Sequence, residues 1–445
     1  DVVAQTYFTS VSHSLPVISL VTDPDLFFDE TTGIYVEGPD SNEPNFTKDI
    51  EIPVHIEYYD EEGNQGFSAN AGAKIYGAYS RNFAMKSLSV FFRGQYGLSE
   101  LEYPLFKEKD INTFQSFILR NAGNDFGGAH MRDAVMTTIV KNDIDIDVQA
   151  YQPAVVYING DYWGIHNIRE KINEHYVEAN YGIDADDVNV IENGETPEAS
   201  NGSAEDFINL MAYLETADLS QPEQYESVTS QIDLDNYIDY MVIEIFYANT
   251  DWPGTNVKLW KPRGDSSQWR WWLYDTDHGF NLYSGEGDYN LDMIEHTTQT
   301  QESLLKYSNP LWSTLLFRKL LENPSFKQQF VTRMADMMNT VFVPERMIAV
   351  IDSLQARIAP EMAKHESRWG IGSAWQTGQA RYEYEADDMR FWANNREQYM
   401  VQHMQTHWGI GPRETLTVSV SDPSAGTVMV NRAEPGSYPW SGKYF

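Results

Sequence analysis

Two short acidic stretches carry the residue types best suited to chemistry. In Tyr247-Ala-Asn-Thr-Asp251-Trp-Pro-Gly-Thr-Asn256, the aspartate and the last asparagine stand five positions apart. A tryptophan-rich run, Trp269–Phe280 (WRWWLYDTDHGF), then ends in Asp275 and Asp277. Carboxylates and amide carbonyls are hard oxygen donors that suit Mg²⁺. Negative phosphoryl oxygens can approach carboxylates only with such cations between them, so the chemistry in prospect is phosphoryl transfer. A plainer reading makes Asp251 a turn former at a helix end and Asp275–Asp277 a solvated turn. The order and separation of the two loops weigh against it.

The elements that must position these loops differ along the chain. From Leu15 to about Leu119 short β-prone runs are divided by Gly, Asn, Pro and Asp, and Ile50, Ile52, Val54, Ile56 and Tyr58 alternate onto one side, which predicts a largely antiparallel sheet. A helix fits Gly128–Val140, and Asn159-Gly160 between apolar runs predicts a hairpin turn with positive φ at both positions. Beyond Glu170 helical periodicity fits Ala204–Thr216, Leu234–Asn249, Leu311–Leu321, Pro324–Val341, Pro344–His365 and Ala386–His407, interrupted by one aromatic strand, Gln268–Tyr274. After Pro412 strand character returns. The expected organisation is α+β: a β-rich N-terminal lobe at 1–170, a mainly helical lobe at 171–412 that carries the acidic loops, and the start of a C-terminal β-module at 413–445.

Composition narrows the function further. The 445 residues contain no cysteine, which excludes disulfide scaffolds and Cys-ligated zinc or iron–sulfur sites. With 66 acidic against 31 basic residues, a net charge of −35, there is no basis for an extended phosphate-tracking surface, and no nucleic-acid partner is expected. No apolar run is long enough to span a membrane, and the start DVVAQTYFTSVSHSLPV lacks signal-peptide zones. The histidines show no H-E-x-x-H spacing; His403 and His407, at i and i+4 without an acidic neighbour in sequence, read as a solvated helix face.

The D-x-x-x-x-N spacing followed by a strand-borne Asp is the order found in protein kinases. The match extends to a more specific set: Asn249, Asp251 and Asn256, then Leu273-Tyr-Asp275-Thr-Asp277-His-Gly279-Phe280; Gly77-Ala-Tyr-Ser80-Arg81 followed by Lys86-Ser87; Leu119-Arg120-Asn121; Met131-Arg132-Asp133; and Pro153–Glu170. On these residues the chain resembles the spore coat protein H (CotH) kinase-like family, from about Leu15 to Gly411. Tyr274 departs from the Trp usual before the first Asp. The resemblance implies an atypical protein-kinase-like two-lobed fold that uses ATP and a divalent metal, Mg²⁺ or alternatively Mn²⁺ or Ca²⁺, to phosphorylate Ser or Thr of proteins, coat or surface proteins among them. Asp251 would be the catalytic base, and Asn256 with Asp275 and Asp277 would hold the metal. It also implies an extracellular or cell-surface location.

Nucleotide phosphates need donors. Lys86, on a strand after a turn bearing Ser80 and Arg81, is placed to reach phosphate, though no G-x-G-x-x-G accompanies it. Arg120 and Arg132 are open to a phosphate or a carboxylate. Asp133 stands on the helix where a kinase carries the acidic partner of its lysine. Glu170 would lie near the link between lobes, touching a nucleotide ribose or opening the next helix. Two competing readings remain: a catalytically inactive kinase-like surface or adhesion protein with structural Ca²⁺ or Mg²⁺, and a two-carboxylate glycosidase in which Trp269, Trp271 and Trp272 form a sugar platform.

Overall fold

Alternation in Ile52–Tyr59 buries Ile52, Val54, Ile56 and Tyr58, while Ile50 lies before the strand and is exposed. The computed structural model describes residues 5–7, 9, 11–264, 266–283, 288–300, 309–374, 377–422, 424 and 426–445. They fall into two compact units, each built from separated segments: Asp1–Arg132, Gln149–Asp184 and Asp352–Ala386 in the first, and Asp133–Val148, Ala185–Ile351 and Asp387–Phe445 in the second. Contiguous spans at 1–170, 171–412 and 413–445 therefore do not describe the packing. Segment 352–386 reads as helical lobe in sequence but belongs with the β-rich unit.

In the first unit the expected sheet closes on itself. Strands β1 (Val17–Val21), β2 (Ile52–Tyr59), β3 (Gln65–Tyr76), β4 (Ser87–Phe91) and β5 (Ser116–Arg120) run antiparallel in turn. The hairpin of β6 (Tyr151–Ile158) and β7 (Asp161–Glu170) follows, with β7 on β5 and β6 parallel to β1, which makes a closed barrel. Closure leaves no unpaired edge. Every second residue points inward, Ile18 and Leu20, Leu88 and Val90, Phe117 and Leu119, Ala154 and Val156, and they pack into one cluster. The hairpin turn is as expected, with φ of 51° at Asn159 and 86° at Gly160.

Beside the barrel, Arg132 and Asp125 are both fully buried. Asp125 accepts from the backbone N–H groups of Ala129, Met131 and Arg132, and the Arg132 guanidinium donates to Glu385 at 2.8 Å. Of the two partners open to Arg132, the carboxylate is the one it takes. Removing one member of such a group strands a buried charge. Arg132→Ala is expected to destabilise the protein by about 3 kcal/mol or more; a denaturant midpoint unchanged from wild type would contradict the assignment.

The second unit is not only helical. A five-stranded sheet runs in the order β9 (Glu198–Asn201), β8 (Val188–Glu192), β10 (Lys258–Pro262), β11 (Arg270–Leu273) and the short strand Asp147–Val148. Sequence periodicity passes over β8 and β10 because they are five-residue strands buried along most of their length, with no alternation to read. The long helices are α1 (Arg132–Val140), α2 (Leu234–Tyr247), α3 (Pro324–Met338), α4 (Pro344–Trp369) and α5 (Arg381–Trp408); α2 packs on β11 and on α3, and α1, α4 and α5 have residues in segments of both units. Helix α2 is capped by the Asp233 side chain, is buried at every position from Asn236 to Tyr247, and stops at Ala248 with φ of 51°. After Pro412, β12 (Glu414–Val418) pairs with β13 (Trp440–Tyr444), and Asn339 exchanges two hydrogen bonds with the backbone of Lys443. The tail thus packs within the second unit. No described helix is long and apolar enough to cross a membrane.

Candidate functional site

Convergence of the two acidic loops follows from local geometry in the second unit. The first loop leaves α2 at Ala248, and the second returns to the same place: the N–H of Phe280 donates to the carbonyl oxygen of Tyr247 at 3.2 Å. A Cβ at Gly279 would lie 2.8 Å from that oxygen and 2.4 Å from Cε of Met136, so only glycine allows the approach. Phe280 has φ of 51°, unfavourable for a bulky residue. Its ring is stacked on Trp392, with centroids 3.9 Å apart, and this packing holds the turn. Two further pins act on the same loop. Thr250 Oγ1 donates to the His278 carbonyl at 3.3 Å, and the N–H and hydroxyl of Thr276 both donate to Oδ1 of Asp133 at 3.1 Å.

Within this frame Asp251 and Asn256 meet directly. Nδ2 of Asn256 donates to Oδ2 of Asp251 at 3.0 Å, which leaves the amide carbonyl oxygen of Asn256 as a hard donor. No described Lys or Arg forms an ion pair with Asp251. Partial burial raises its carboxyl above the ordinary range, the nearby His278 lowers it, and the charge of Asp275 raises it again. Asp275 is partly exposed with φ of 55°, and Asp277 is fully buried. Asp133 therefore serves the second unit, fixing Thr276.

Glu244 escapes a reading by motif. It lies fully buried on α2, its Oε2 accepts from Nδ2 of Asn249 at 2.9 Å, and its Oε1 is buried with no hydrogen-bond partner. Burial is the main cause that pushes its carboxyl up to about 8, offset by the Asn249 hydrogen bond and reinforced by Asp133 and Asp275. The available signal is a lone Glu in a helix that is apolar on every side, because such a helix is buried all round. His278, passed over with the other histidines, likewise joins the site through its field at Asp251.

The tryptophans do not form a sugar platform. Trp269, Trp271 and Trp272 are 1%, 2% and 0% exposed, and their rings pack against Phe207, Tyr237 and Trp260 in turn. That removes the surface on which the glycosidase reading rests.

The first unit holds the other sequence candidates. Lys86 donates through Nζ to the carbonyls of Arg81 at 2.6 Å and Phe83 at 3.0 Å, lies 3.9 Å from the Phe46 ring centroid, and is lowered to about 8 by burial. Arg81 donates to the Thr47 carbonyl at 2.9 Å, and the Ser80 carbonyl accepts from Asn121, the neighbour of Arg120. Ser80, Arg81 and Lys86 thus share one turn. Glu170 stands apart. In the β5–β7 register it pairs with Phe117, whereas Arg120 pairs with Asn167. One Glu170 oxygen accepts from Lys109 at 2.5 Å and from the Ala150 N–H at 2.7 Å, and the other from Asn180 at 2.9 Å. Both oxygens are engaged inside the unit, and the following helix begins only at Glu174, so Glu170 does not open that helix.

The two loops carry oxygen donors of the kind hard cations take. Asp251, Asp275, Asp277 and the Asn256 amide offer hard oxygens, and Asp251 and Glu244 both feel the charge of Asp275. The three aspartates do not bring ligand atoms within 4.8 Å of one another, and Mg²⁺ needs only one or two protein carboxylates because substrate phosphates complete its shell. The molecule is thus an α+β protein with an acidic two-loop site. A family model described as CotH kinase protein matches residues 73–400, and the chain belongs to that family. No curated protein matches the chain.

Glu244 sets a pH signature. Its folded pKa lies above the unfolded value of about 4.5, so the native state binds the extra proton, and stability falls as pH rises from there through about 8. The slope approaches about 1.4 kcal/mol per pH unit. Glu244→Gln is expected to remove it, measured by denaturant unfolding from pH 5 to pH 9; an unchanged slope would place the titration elsewhere.

Proposed function

We propose that this protein is an atypical protein Ser/Thr kinase that transfers the γ-phosphoryl group of ATP, with a two-lobed kinase-like arrangement of its parts. The observation that carries the reading is the Asp251–Asn256 hydrogen bond in a loop where no described Lys or Arg pairs with Asp251, and where His278 and Asp275 act on it in opposite directions. A carboxylate so placed retains basicity, which suits a proton acceptor. In the reaction Asp251 takes the proton of the incoming Ser or Thr hydroxyl as its oxygen forms a bond to the γ-phosphorus. The bond from phosphorus to the β,γ-bridging oxygen breaks, and ADP leaves. Asn256 orients Asp251 through Nδ2.

Asn256, Asp275 and Asp277 are the residues that would hold Mg²⁺, with Mn²⁺ or Ca²⁺ as alternatives. The cation would supply neutralisation of the phosphate charge. In the first unit, the turn of Ser80, Arg81 and Lys86 and the neighbouring Arg120 are proposed nucleotide contacts. Family membership supports a coat or surface protein as substrate and a location outside the cytoplasm.

A second reading, a surface or adhesion protein with a structural cation and no turnover, is favoured by the Lys86 ammonium being spent on two backbone carbonyls. Turnover separates the two. Asp251→Asn is expected to lower phosphoryl transfer to Ser/Thr peptides by roughly 10²–10⁴-fold with folding intact. Transfer at the wild-type rate in that variant would remove Asp251 as base, and no transfer by wild type with any cation would favour the adhesion reading.

A further inference from the structure

The second unit carries another group of ligating side chains, distinct from the acidic loops. Asp292 accepts the Glu295 N–H through Oδ1 at 2.9 Å, and its Oδ2 lies 2.9 Å from Nε2 of His407 on α5. Asp292, Glu295 and His407 each offer a ligand atom within 4.8 Å of the others, the one such trio of His, Asp or Glu among the described residues. One turn earlier on α5, Nδ1 of His403 is 3.9 Å from Oδ1 of Asp292. That nitrogen is buried and makes no hydrogen bond. The two histidines have no acidic neighbour in sequence; the fold supplies two.

The platform beneath is built. Arg396, fully buried on α5, donates to the carbonyls of Tyr289 at 3.0 Å and Leu291 at 2.8 Å, and to those of Ile245 and Phe246, both at 2.8 Å. The chain just before Asp292 is thereby fixed to the end of α2. Two atoms that share a tetrahedral ion at about 2.0 Å lie about 3.3 Å apart. The spacings of 2.9 and 3.9 Å around Asp292 bracket that value. Imidazole together with carboxylates suits Zn²⁺, whereas Mg²⁺ takes oxygen alone.

We propose that Asp292, Glu295 and His407 form a Zn²⁺ site, with His403 directed at the same aspartate, that ties the short helix Met293–Thr298 to the C-terminal end of α5. Its role is structural.

Calorimetric titration of Zn²⁺ into the metal-stripped full chain, with thermal unfolding alongside, tests it. One Zn²⁺ per chain and a raised Tm are expected. Binding should weaken more than about tenfold in Glu295→Gln and His407→Gln, and should persist in Asp277→Asn. Glu295 is exposed, so its variant keeps the fold even if the histidine variant does not. The proposal is overturned by absence of saturable Zn²⁺ binding, by binding unchanged in both variants, or by loss in Asp277→Asn alone, which would put the ion in the acidic loops.

Discussion

One hydrogen bond, from the Phe280 N–H to the last carbonyl of α2, decides where the acidic loops meet. Helix α2 is buried along its length, so its end is a fixed point in the second unit. The first loop begins there because Ala248 turns out of the helix, and the second is drawn back to it because Gly279 has no Cβ to strike the Tyr247 oxygen. Everything chemical about the site follows from that convergence. Carboxylates far apart in sequence are brought within reach of each other's fields.

Like charges held together must be neutralised by protons, cations or solvent. Glu244, in the driest position, keeps a proton to about pH 8, while Asp251 is raised by burial, with His278 acting against Asp275. Elsewhere the chain handles buried charge differently. Asp125 is matched by Arg132 and three backbone N–H groups, and Asp239 by Arg333 and Arg432. Asp251 and Glu244 contrast with these, since neither has an Arg or Lys paired to it among the described residues.

The candidate residues were easier to pick out in the sequence than the fold. Asp251, Asn256, Asp275 and Asp277 were legible because their chemistry resides in side chains at short spacing, and the long helices were legible because amphipathic or wholly apolar periodicity runs for several turns. The barrel was legible as strands but not as a closed object, since the parallel pairing of Val17 with Val155 joins residues whose proximity no local pattern records. The same limit hid the interleaving of the two units and the role of Glu170, whose partners Lys109 and Asn180 are remote in sequence. Glu244 was obscured for a different reason. Its significance comes from burial, and a single polar letter in an apolar helix carries no motif.

Calorimetric titration of ATP into the metal-stripped protein, with and without Mg²⁺ and repeated on Asp277→Asn, bears most directly on the central claim. The account predicts ATP binding that requires the cation and is lost in the variant. Binding of equal strength without a cation, or undiminished in Asp277→Asn, would contradict it.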